Sequence, residues 1–533
     1  MQYGRKRIRF LHANMVKRDV SMREAIVSTM TSERSHSPVL EVDLEDALEL
    51  AGAGKYQLLH CLLMLATLFA SILEMIGVAF VLPAAACDLN VPDNLKGIIT
   101  SLPNIGVILT APFWGRASDS LGRKPILLFS LAAAGVMTFI SSFMPSLITF
   151  ALFKFACSLF LSSPSSLGYA YVSEMLPRRR RDTAVLVING LVNLLTVFSP
   201  GLAWIILSYD WHYSLGAIDL RPWRVLTAVY ALPLLLTALC ILGADESPKF
   251  LMTRGKDREA LDVVKRIYAV NTGLHEDSFC VKSLKTPCDI SDPDNRGSGC
   301  ALAPKSRPQS AFALLRPPHL KWFALTGFLM FGLFSFLNGL FLFAPDTINK
   351  VMSGESTSGT VCELIDQSDN STLASECLDS ISHQTFFIMV VTTLVYGGLV
   401  VGASLSPLSK KTLLVSMFIV VGVGCLIAGL STNRIAAGIA MSSLQITALG
   451  IGPLTAYVVD LFPTALRGTA VGAVLMFGRV GSVAGANAAG VSLSAACMVT
   501  FYAFAFLVFL CAALSFLLPS EKVLKPRATV RDS

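Results

Sequence analysis

Three ionisable residues stand inside long apolar runs: Glu74, Lys154 and Arg479. A charge at that depth in hydrocarbon is costly, so each is a candidate for proton exchange, ion pairing or recognition of a charged ligand. Glu74 and Lys154 each lie about eight residues from one end of their runs, which at about 1.5 Å per residue puts both about 12 Å deep. Opposite charges at equal depth can pair, or share a proton or a ligand; the plainer reading is a structural ion pair fixing two helices. Arg479 stands about ten residues into its run, near the middle, where it either lines a cavity or meets backbone carbonyls of a neighbouring helix. Gln445, Asn189, Asn193 and Asn338 add neutral hydrogen-bonding groups that serve either a ligand or helix-helix contacts. No phosphate-binding glycine loop, metal-ligand spacing or nucleophile-base pair accompanies them. Neither ATP hydrolysis nor a cofactor is expected, and the chain does not read as an enzyme.

The elements that hold these residues are membrane spans. The chain has 533 residues, 53% hydrophobic and 15% charged, against about 25% charged in a soluble domain, and its mean hydropathy is +0.62. Runs of about 20 apolar residues match the thickness of a bilayer. Twelve are expected, near 57–82, 96–114, 124–144, 146–170, 183–208, 223–243, 320–346, 384–406, 411–430, 435–458, 469–490 and 495–518. The net charge of +7 does not imply nucleic acid, because the basic residues lie between spans. Arg116, Arg123, Lys124, Arg178 to Arg181, Lys410, Lys411 and Arg467 all fall in even-numbered connections. The positive-inside rule then puts those connections and both termini in the cytosol.

The expected organisation is a tail (1–56), a six-helix half (57–243), a central loop (244–319), a second half (320–518) and a short tail (519–533). The first tail lacks the apolar core of a signal peptide. In the central loop, Leu261, Val264, Ile267 and Tyr268 have helical spacing, which predicts an amphipathic helix within 255–268. Loop 350–383 falls outside. It carries the glycosylation sequon Asn370-Ser-Thr372, and Cys362 and Cys377 could bridge there.

The two halves are copies. Tyr171, Glu174, Pro177 and Arg181 recur with the same spacing, 286 residues on, as Tyr457, Asp460, Pro463 and Arg467. Gly115, Arg123 and Lys124 recur 287 residues on as Gly402, Lys410 and Lys411, whereas Asp119 and Gly122 become Ser406 and Ser409. Six spans repeated in one orientation is an architecture of transporters.

These residues resemble the major facilitator superfamily. Gly115–Pro125 is similar to its signature between spans two and three. Tyr171–Arg181, Glu246-Ser-Pro-Lys-Phe250 and Pro519-Ser-Glu-Lys522 resemble the sugar-porter and organic-ion-transporter branch. Leu44–Ala51, Leu82–Leu89 and Trp223-Arg-Val225 are similar to the synaptic vesicle glycoprotein 2 family. Those relatives carry an acid where this chain has Ser71, and an Arg with a glycine ladder where it reads Lys154–Leu161. The resemblance implies an all-α protein of two pseudo-symmetric six-helix halves that moves a small polar or organic-ion solute by alternating access, with protons as a further partner. It also implies a gate built from Gly115, Asp119, Gly122, Arg123, Glu174, Arg181, Glu246, Asp460 and Arg467, with Asp119 facing the start of span eleven. It makes Glu74, Lys154, Asn193, Gln445 and Arg479 the candidates for substrate and coupling. The alternative is a transport-silent vesicle or surface glycoprotein acting in trafficking or interaction. Plasma membrane and vesicle membrane both fit.

Overall fold

The computed structural model describes residues 41–209, 211–214, 219–285, 314–317, 319–353, 359–364, 381–405 and 409–519. Asn370, Cys377 and Ser406 lie outside the described residues. The described chain is all but entirely helical, and twelve helical stretches are long and apolar enough to cross a membrane. They run Lys55–Ala84, Leu95–Leu121, Arg123–Ser141, Leu147–Met175, Arg178–Leu207, Pro222–Ile241, His319–Met352, His383–Ala403, Lys410–Leu430, Arg434–Leu461, Leu466–Leu493 and Cys497–Ser515. The chain is an integral membrane protein of two six-helix halves. We number these stretches spans one to twelve, and call the side carrying the even-numbered connections the basic end.

Three spans are interrupted. Span five breaks after Leu195 and resumes at Phe198, with Pro200 in the new first turn, where its missing N–H is not needed. Span seven passes from His319–Gly339 through a 3-10 turn at Phe341–Phe343 into Ala344–Ser353. Span ten narrows to a 3-10 segment at Leu444–Gly450 between two α-helical pieces. Tight mid-helix turns of this kind are common at hinges.

Compact packing divides the chain into two units. In the first, strand Glu41–Val42 pairs in parallel with Ser283–Leu284. Helix Leu44–Ala51 buries Leu44, Ala47, Leu48 and Ala51, and it packs on the loop helix Asp257–Thr272. The periodicity read in 255–268 is realised there, with Leu261, Val264 and Ile267 buried; Tyr268 instead packs its ring on Phe279. The Asn271 amide donates to the carbonyls of Ala51 and Gly52 and to Gln57 Oε1, and its oxygen accepts from Tyr56 N–H. Tyr56 donates its hydroxyl to Asp245, which also pairs with Arg266.

The second unit holds the body of the spans. Its core is aromatic and aliphatic, with Phe80, Phe150, Trp223, Phe336, Phe386 and Phe501 among the fully buried side chains. At the end opposite the basic loops, spans two and eleven come into backbone contact. A Cβ on Gly490 would stand 2.6 Å from Gly97 Cα, and one on Gly97 2.6 Å from the Ala486 carbonyl. Lys96 of span two pairs with Asp346 of span seven at 3.3 Å nearby, and Trp204 of span five donates to His383 Nδ1 of span eight at 3.1 Å. All of these contacts join the first half to the second.

One expectation fails. Cys362 is bonded to Cys497 and not to Cys377, with Cα atoms 5.5 Å apart. Proximity in sequence suggested the wrong partner, because the fold brings residues 361–364 against the start of span twelve, where Cys497 waits. That separation is ordinary for a disulfide. Cys87 is disulfide-bonded as well, and Cys280 is a free thiol.

Candidate functional site

Glu74 and Lys154 meet. Lys154 Nζ lies 2.6 Å from Glu74 Oε1, and the two side chains are only 4% and 3% exposed. Cys157 donates weakly to the same Glu74 oxygen and itself contacts Thr138 of span three. The Lys154 ammonium stands 5.8 Å from the centre of the Phe150 ring, which packs edge-on against Trp223. Gly77, one turn beyond Glu74, lies against the Tyr230 ring of span six. The groups around the pair therefore come from the first half. Glu74 Oε2 is buried and has no hydrogen-bond partner among the described residues. A buried carboxylate oxygen left without a donor is uncommon in folded proteins and marks this pair out from an ordinary structural ion pair.

Arg479 lies in a different place. It stands midway along Leu466–Leu493 and reaches across to span two, where Nη1 donates to Asn104 Oδ1 at 3.0 Å. Its guanidinium lies 5.6 Å from the centre of the Phe334 ring of span seven, and it keeps some accessible surface. Along the same helix, Ser482 accepts from Asn338 at 2.9 Å and Asn487 donates to Ser101 at 3.2 Å. Spans two, seven and eleven thus share a polar seam between the halves.

Gln445 makes a third cluster. It donates to Thr196 of span five at 3.3 Å and accepts from Thr393 of span eight at 3.1 Å. It sits in the 3-10 segment of span ten, so that segment is tied to both halves. Asn193 donates to the carbonyl of Asn189 one turn earlier, and Asn189 accepts from the Tyr169 hydroxyl. Asn193 lies 286 residues before Arg479 and so is its counterpart in the repeat, and none of these bonds brings the two together.

The motif residues at the basic end divide by local geometry. Gly122 ends span two with φ 111°, a conformation that glycine tolerates and other residues do not. A Cβ on Gly115 would meet nothing within 4 Å. Asp119 is 74% exposed and pairs with Arg123 at 3.1 Å. Arg181 grips Glu45 of the helix that precedes span one, with Nη2 3.0 Å from both carboxylate oxygens. Asp460 pairs with Lys410 at 2.7 Å. Glu246 accepts from Ser247 N–H, and Ser247 in turn caps helix Pro248–Thr253. Glu174 is half-buried in the last turn of span four, and Arg467 is half-buried in the first turns of span eleven.

Several partners escaped sequence reading. Asn104, Thr196 and Thr393 are single polar residues in apolar runs, and only tertiary packing shows what they face. Glu45 lies in a segment noted for resemblance alone. Asp88 accepts from Trp223 Nε1 at 3.0 Å and from Arg224 at 3.1 Å, and Arg224 also donates to the carbonyls of Ser142 and Met144. Two of the three short stretches that carry the family resemblance, around Asp88 and around Trp223, are therefore one structural knot.

Twelve spans in two repeated halves, with polar groups buried between and within them, define a class of polytopic membrane proteins. The family model described as Major Facilitator Superfamily matches residues 63–486. The chain belongs to that superfamily. It is similar to synaptic vesicle glycoprotein 2C of Rattus norvegicus, 29% identical over 267 residues, which are 49% of this chain and 37% of that one. Synaptic vesicle glycoprotein 2B of Homo sapiens is 29% identical over 286 residues, 50% of this chain and 42% of that protein. The match thus spans well under half the length of these relatives. Among solved structures, the xylose transporter XylE from E. coli in a partially occluded inward-open conformation superposes with TM-score 0.62 at 15% identity, covering 88% of this chain and 99% of that one. The proton:xylose symporter XylE bound to 6-bromo-6-deoxy-D-glucose gives TM-score 0.55 at 15% identity, covering 87% and 96%. That likeness is one of fold.

Proposed function

We propose that this protein carries a small polar or organic-ion solute across a membrane by alternating access, coupled to protons through Glu74. The observation that carries this reading is the Glu74–Lys154 pair, buried at 2.6 Å with one carboxylate oxygen left bare. Protonating Glu74 would release Lys154 and change how spans one and four hold each other, which is how a proton can be linked to a change of state. At the end opposite the basic loops, the polar contacts Lys96–Asp346 and Trp204–His383 between the halves would be broken and remade in each cycle. Asp119, Arg123, Glu174, Arg181, Glu246, Asp460 and Arg467 would hold the basic end in the other state, aided by Gly115 and Gly122. The basic end is cytosolic in this reading, and the membrane is that of a vesicle or the cell surface.

The test is uptake of a labelled solute panel into proteoliposomes, with and without a pH gradient, by the wild type and Glu74→Gln. Uptake that rises with an inward proton gradient in the wild type and loses that dependence in the variant is expected. No uptake of any solute under either condition would overturn the carrier reading in favour of a transport-silent vesicle or surface glycoprotein. A Glu74→Gln variant as gradient-dependent as the wild type would overturn the coupling alone.

A further inference from the structure

Glu74 and Lys154 neutralise one another; Arg479 is not neutralised by any described carboxylate. Its hydrogen-bond partner among the described residues is the side-chain oxygen of Asn104, a neutral acceptor, at 3.0 Å. A guanidinium carries five N–H donors in a flat fork that suits a two-oxygen anion. A full positive charge midway through a span calls for a counter-charge, and here the protein does not furnish one from its described residues. Arg479 is half-buried and not sealed off within the helix packing. Phe334 supplies an apolar wall 5.6 Å away. Ser482 and Asn487 lie about one and two turns further along the same helix, and Asn338 one turn beyond Phe334, so hydroxyl and amide groups continue the seam.

We propose that Arg479 is an anion-binding residue and that the solute is a small organic anion, two oxygens of its carboxylate or sulfonate accepting from one edge of the guanidinium and displacing Asn104. This rests on the carrier reading and narrows its solute. The apolar wall and the run of neutral polar groups favour an organic body over a bare inorganic ion. Because the site lies between spans two, seven and eleven, binding there ties the first half to the second.

The test is thermal unfolding of the purified protein in detergent at constant ionic strength. The probes are lactate, benzoate and methanesulfonate, the neutral amides lactamide, benzamide and methanesulfonamide, and chloride, all at millimolar concentration. At a roughly hundredfold excess over Kd, at least one organic anion is expected to raise Tm by about 2–4 °C, with no effect of its neutral counterpart. Arg479→Gln should abolish the shift and Arg479→Lys should reduce it. Asn104→Asp places an internal carboxylate against the guanidinium with almost no change of shape, so it should raise Tm without ligand and erase the response to anions. The inference is overturned if no organic anion shifts the wild type, if the amides act equally, or if Asn104→Asp keeps the full response. An equal response to chloride reduces the site to an inorganic counter-ion and overturns it too. Anion binding without uptake would sink only the carrier reading, whereas uptake of a neutral solute with no anion binding would sink only this one.

Discussion

Removing one partner of the Glu74–Lys154 pair leaves a bare charge in a site less than 5% exposed. Such a loss costs about 3–5 kcal/mol, whereas replacing both partners by neutral groups of similar volume is close to neutral. Lys154→Met alone should therefore lower the thermal midpoint well below that of Glu74→Gln/Lys154→Met measured in the same detergent. A double variant as unstable as the single one would show that the pair is not the source of the loss. The two charges were legible in the sequence, because ionisable residues in apolar runs stand out and their depths matched. Asn104 was not, since an asparagine in a span has many uses and its role depends on a residue 375 positions away. The Arg181–Glu45 contact was hidden for the same reason. Arg181 reads as part of a repeated motif, and nothing in its spacing points to a helix that precedes span one.

At the level of elements, apolar run length gave all twelve spans, although span two runs on to Leu121 and span seven to Met352, and a 3.6-residue period within 255–268 gave the loop helix, which extends to Thr272. The breaks in spans seven and ten were not legible, because a 3-10 turn keeps the same apolar composition as the helix around it. Cys362 could not be paired from spacing, since its partner lies 135 residues on. Peptide mapping without reductant should recover a linked peptide holding Cys362 and Cys497; a Cys362–Cys377 peptide would contradict the fold at that corner. The junction between spans two and three offers a second test. Gly122→Val forces a branched residue to φ 111°, and strain of that kind costs about 1–3 kcal/mol. The variant should unfold several degrees earlier than the wild type, and an unchanged midpoint would mean the junction relaxes freely.

Across the whole molecule, the repeat of 286 residues implies the twelve-helix plan, and the distribution of basic loops is the basis of the orientation proposed above. The orientation has a direct consequence: loop 350–383 would meet the glycosylation machinery. Asn370→Gln should therefore remove a glycosidase-sensitive mass shift seen for the parent on gels, and a parent without that shift would contradict the placement. The repeat is kept in its spacing more than in its chemistry. Asp119 has only Ser406 as its counterpart, and Arg479 has Asn193, so the halves share a frame while charge is dealt to them unequally. The backbone contact of Gly97 with Gly490 bears on how such a chain can vary between individuals. Every amino-acid replacement at either position adds atoms where two helices already touch. In the alternating-access cycle proposed above, inherited variation there would press in one direction only, towards a face that no longer shuts.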